Sequence, residues 1–87
     1  MKNKIICFDL DGVICQTKAN NYKNSKPIAK TIKIINELYK NNKIVIFTAR
    51  YMGRSNGKKT LAKKLAKKVT INQLKLWGVK YHKILFG

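Results

Sequence analysis

The chain has 87 residues, room for one domain and no second. Hydrophobic residues make up 45% of it, which excludes a disordered tail, and no apolar run nears the ~20 residues that a bilayer span requires. The formal net charge of +17 invites a polyanion-binding reading, but Lys, Asn, Ile, Tyr and Phe supply 45 of the 87 residues and all use AT-rich codons, so genome composition competes as its cause.

The N-terminus is basic, and the apolar stretch after it, Ile5 to Phe8, is cut off by Asp9. That is too short for the core of a signal peptide, so a cytoplasmic location is expected. Residues 4–8 are apolar and β-branched and predict a buried strand carrying Cys7. Asp9 stands at the carboxyl end of that strand, followed by Asp11 and the turn residue Gly12. The chain has only three acids, Asp9, Asp11 and Glu37, so two carboxylates one residue apart are its most informative feature. Like charges this close repel unless a cation sits between them. The pair predicts a divalent ion, Mg²⁺ by its preference for oxygen ligands, where open α/β sheets bind their ligands. The plainer alternative is two turn aspartates.

A polar stretch over 16–26 predicts a loop or short hairpin. Pro27 is expected to open a helix at its favoured first position, with Ile28, Ile32, Ile35 and Leu38 or Tyr39 inward, and Asn41-Asn42 to end it. Residues 43–47 predict a second strand, apolar enough to be covered on both faces, with Thr48, Ala49 and Arg50 at its end. A loop over 51–57 holds Arg54. A basic helix is expected over 58–77, with Leu61, Leu65 and Val69 as one apolar row, continued by Leu74 or Trp77, and Gly78 as its cap. Residues 79–86 predict a third strand. Cys7 and Cys15 are expected as reduced thiols, and His82 as a strand-edge or surface residue without a chemical role. The order strand-helix-strand-helix-strand predicts an α/β fold with a parallel three-stranded sheet.

Phe8-Asp9-Leu10-Asp11-Gly12-Val13 resembles the first motif of the haloacid dehalogenase superfamily, and Ile46-Phe47-Thr48-Ala49-Arg50 resembles the second. With Tyr51-Met52-Gly53, Trp77-Gly78-Val79 and Leu85-Phe86-Gly87, the chain is similar to capless phosphatases of capsular-polysaccharide biosynthesis. The resemblance implies half of a Rossmann-like sheet and an Mg²⁺-dependent phosphohydrolase acting on a small phosphorylated metabolite such as a sugar phosphate. Asp9 is then the nucleophile that forms an aspartyl-phosphate, and Asp11 the general acid and base. Mg²⁺ is held by the Asp9 carboxylate and the Asp11 carbonyl. Thr48, Ala49 and Arg50 bind phosphate, helped by backbone N–H groups of Leu10 to Gly12.

The resemblance also implies a lysine or arginine after the third strand and an acidic pair after a fourth, and these 87 residues hold neither. Little phosphatase activity is therefore expected of the chain alone, and the free edge of the first strand is expected to be bare, to be covered by an oligomer or a second chain. An inactive remnant and a basic module that binds nucleic acid or another polyanion through the lysines between positions 58 and 75 are the competing readings. A glycosyltransferase also uses Asp-x-Asp, but needs a far longer chain.

Overall fold

The computed structural model describes residues 2–19, 21–50 and 59–86. The chain runs β1 (Ile5–Asp9), β2 (Cys15–Gln16), a short 3-10 turn (Tyr22–Asn24), β3 (Lys26–Pro27), α1 (Ala29–Tyr39), β4 (Lys43–Thr48), α2 (Lys59–Leu76) and β5 (Lys83–Phe86). Strands β1, β4 and β5 form a parallel sheet in that order, which is the α/β architecture expected. β2 and β3 pair antiparallel as a separate hairpin between β1 and α1. The 51–57 loop with Arg54 lies outside the described residues, as does the side chain of Leu61.

Both crossovers step the same way across the sheet, so right-handed connections put α1 and α2 on one face. The core agrees. Ile6, Phe8, Ile44, Ile46 and Ile84, which share that face by register, pack with Ile32 and Ile35 of α1 and with Leu74 and Val79 at the end of α2. The opposite face carries Ile5, Cys7, Phe47 and Leu85, and all four are exposed. Val45, at the centre of the same face, is only 6% exposed, so the expected two-sided cover of β4 holds there and fails at Phe47, and Cys7 is exposed where a buried thiol was expected. Cys15 is the buried one, because Leu10, Ile14 and Cys15 turn inward beneath the hairpin. β1 pairs with β4 alone among the described strands, which leaves its outer edge open.

Pro27 does not open the helix. The hairpin captures it in β3 opposite Cys15, and the Ile28 N–H donates to Ile14 O at 2.8 Å, which holds the backbone extended for one residue more. Helix α1 ends as expected, with the Asn42 side-chain amide donating to Leu38 O at 3.0 Å. α2 closes on a Schellman pattern: Val79 N–H donates to Leu74 O, Gly78 N–H donates to Lys75 O, and Gly78 takes φ +71°.

Only residues 83–86 of the expected 79–86 strand join the ladder. Over the earlier part, the His82 N–H still donates to Ile44 O at 2.9 Å, and polar side chains make the other bonds. Asn36 donates to Gly78 O and accepts from Lys80 N–H, while His82 stacks on Tyr39 and its Nδ1 accepts the Ile44 N–H at 3.0 Å. Leu65, expected on the apolar row of α2, is 56% exposed, whereas Thr70 and Leu74 are fully buried. Among the described residues no helix is long and apolar enough to cross a membrane.

Candidate functional site

A hollow of about 330 Å³ opens at the carboxyl ends of β1 and β4. The parallel register puts Asp9 beside Phe47, so the segments after both strands emerge together. Asp9, Asp11, Thr48, Ala49 and Arg50 all line the hollow, and the hairpin closes its side with Thr17 and Tyr22. Sequence reasoning named the first five. It missed Thr17 and Tyr22, which lie in the polar stretch and carry no pattern of their own.

The two carboxylates differ. Asp9 is exposed and makes no hydrogen bond or ion pair with the described residues. Asp11 is bound on several sides. Arg50 Nε donates to Oδ2 at 3.0 Å, Arg50 Nη2 to Oδ1 at 2.9 Å, and the Thr17 hydroxyl to Oδ1 at 2.6 Å. Burial alone raises the pKa of Asp11. The hydrogen bonds from Arg50 and Thr17, with the charge of Arg50, outweigh it and leave the carboxyl below its ordinary value. The neighbouring Cys15 thiol is pushed up, by burial first and by the Asp11 charge second, so it is held as an inert thiol.

Arg50 is 1% exposed, unlike the solvated loop arginine that its sequence position suggests. Besides Asp11 it donates to Thr70 and Gln73 of α2 and to Ser25 and Cys15 around the hairpin, and its guanidinium lies 5.1 Å from the Tyr22 ring centre. A guanidinium has five N–H donors, and these partners engage all of its nitrogens. In this arrangement Arg50 is a clasp joining β4, α2 and the hairpin, with no donor left for a ligand. Thr70 and Gln73 were the legible hint: a polar pair at i and i+3 on the side of α2 that otherwise turns inward.

Thr48 is 3% exposed, and its hydroxyl oxygen accepts the Arg50 N–H at 3.1 Å, which leaves its own O–H to donate. The Leu10 N–H is spent on Phe47 O and the Gly12 N–H on Cys15 O. The expected help from backbone amides is therefore withdrawn at both positions, because the chain after β1 folds back on itself.

Among the described residues no three His, Cys, Asp or Glu side chains cluster. The unpartnered Asp9 carboxylate suits a hard cation, and Mg²⁺ keeps several waters and needs few protein ligands. The Asp11 carboxylate is turned to Arg50, so Asp9 is the single free anionic oxygen donor of the hollow.

No family model and no curated protein matches this chain. A crystal structure of a structural-genomics target from Vibrio cholerae superposes with a TM-score of 0.83 at 28% identity, over 95% of this chain and 68% of that one. The chain shares that protein's α/β fold, with about a third of the Vibrio cholerae chain lying outside the match.

Proposed function

We propose that the chain carries the phosphoryl-transfer half-site of a haloacid-dehalogenase-type phosphohydrolase. The observation that carries this reading is the shared hollow: the Asp9 carboxylate and the Thr48 hydroxyl, whose proton is given to no described residue, line one space at the ends of adjacent parallel strands. Asp9 attacks the phosphorus of a phosphomonoester, the P–O bond to the alcohol breaks, and the phosphoryl stays on Asp9 as an acyl phosphate. The Thr48 O–H donates to a non-bridging phosphoryl oxygen as charge builds there. The Asp9 carboxylate and the Asp11 main-chain carbonyl would hold Mg²⁺, which would screen the repulsion between carboxylate and phosphate.

Asp11 serves best as the base. An acid catalyst works when its pKa lies near the working pH, and Arg50 holds Asp11 the other way. Ionised Asp11 can still take a proton from the water that attacks the acyl phosphate, as a weak base, while the leaving alcohol gets little help. Good leaving groups are therefore favoured, and turnover of alkyl phosphates by this chain alone is slow.

The test is phosphoryl trapping. The chain is incubated with acetyl phosphate and Mg²⁺, quenched in acid and weighed intact. One hydroxylamine-labile phosphoryl group, absent from Asp9→Asn and longer-lived in Asp11→Asn, is the expected result. No adduct on the wild type, or an adduct retained by Asp9→Asn, removes the reading.

A further inference from the structure

A second hollow, of about 620 Å³, lies on the hairpin and shares Thr17 with the first. It is lined by Gln16, Thr17, Lys18, Asn21, Asn24 and Lys26. Among the residues that line it there is no carboxylate and no aromatic ring: they are two lysines, three carboxamides and Thr17, whose hydroxyl is already given to Asp11. That donor set matches an anionic group flanked by hydroxyls, and the volume is that of a small-ligand site.

The hairpin is not loosely tethered. Gln73 of α2 donates to Tyr22 O, Arg50 donates to Ser25 Oγ, and Thr17 donates to Asp11, so buried contacts fix the second hollow against the first. Thr17 forms the wall between them. The two hollows thus meet at Thr17, with Lys18 and Lys26 lining the second.

Resting on the phosphoryl-transfer reading above, we propose that the hairpin hollow selects phosphomonoesters whose alcohol part carries a second anionic group. Lys18 and Lys26 neutralise that group, and the carboxamides of Asn21 and Asn24 meet the hydroxyls beside it.

The experiment is an NMR titration of the full chain with matched pairs of phosphomonoesters. Glycerol 3-phosphate is compared with 3-phosphoglycerate, where the added group is a carboxylate, and fructose 6-phosphate with fructose 1,6-bisphosphate, where it is a phosphate. The expected result is binding of every compound at the Thr48 amide, with the doubly anionic member of at least one pair bound about tenfold more tightly, as one extra charge-assisted hydrogen bond allows. The pair that shows the preference identifies the anion. Lys18→Ala combined with Lys26→Ala is expected to erase the preference and leave the other member's affinity within about twofold. Lys30→Ala combined with Lys33→Ala, on exposed positions of α1, is expected to keep it.

Equal affinities within both pairs overturn the proposal and leave the phosphate reading standing. Loss of preference in the α1 variant overturns it too, since the effect is then the overall charge. Absence of any shift at Thr48 overturns both readings together.

Discussion

Arg50 joins more of the molecule than any other side chain near the hollow, and its sequence context hides this. Asp11, its main partner, lies 39 positions away, and Gln73 lies 23 positions away on α2. No local pattern marks such a pair, whereas Asp9 and Thr48 could be placed because each follows an apolar strand-forming run. Breaking a buried ion pair from one side costs about 3 kcal/mol. Arg50→Ala is expected to lose about that much in urea unfolding, and Arg50→Lys to recover only part of it, since one ammonium cannot reach Asp11, α2 and the hairpin together. The pH dependence follows from the same pair. The folded value of Asp11 lies below its unfolded value, so its stabilisation is complete above the ordinary carboxylate range and is lost as pH falls through the lowered folded value. Carbon-detected NMR of the Asp11 carboxyl is expected to titrate below the range usual for aspartate. In Arg50→Gln, where the guanidinium charge and its hydrogen bonds are gone, it is expected to titrate higher.

Among the elements, the strands and their order were legible because apolar β-branched runs alternate with helical spacing. The exact ends were not. Pro27 satisfies the rule for a helix start equally well as an edge residue of a hairpin, and only the pairing with Cys15 decides between them. α2 misleads more seriously. Its leucines suggest one inward row; Leu74 is buried as that row predicts, but Leu65 faces solvent and the polar Thr70 is fully buried. Leu74→Ala is therefore expected to cost about 3 kcal/mol and Leu65→Ala less than about 0.5 kcal/mol, by denaturant midpoint at constant slope. Gly78, with φ +71° and open space around the position of a Cβ, pays only the backbone penalty on substitution. Gly78→Ala is expected to cost about 1 kcal/mol.

At the scale of the whole molecule, the helices cover one face of the sheet, and the other is open among the described residues except at Val45. Parallel sheets are ordinarily covered on both sides, and here Ile5, Phe47 and Leu85, one on each of the three strands, stand exposed on the second face. The one-sided cover follows from topology: two crossovers in the same direction cannot reach the second face. The sequence could not show this, since an apolar strand reads the same whether its second face is covered by this chain or by nothing. The charge of +17 opposes pairing of two copies through that face, with Lys43 and Lys83 also on it by register. Ile5→Lys is expected to leave the unfolding midpoint nearly unchanged while lowering binding of a hydrophobic dye, measured by fluorescence.

The central claim is that Asp9 and Thr48 bound a space that takes a phosphoryl group. A crystal grown with Mg²⁺ and orthovanadate tests it most directly. Vanadium is expected within bonding reach of an Asp9 carboxylate oxygen, with the Thr48 hydroxyl donating to one of its oxygens. Vanadate held instead by the lysines of α2, with the hollow between β1 and β4 empty, contradicts it and favours a plain polyanion-binding surface.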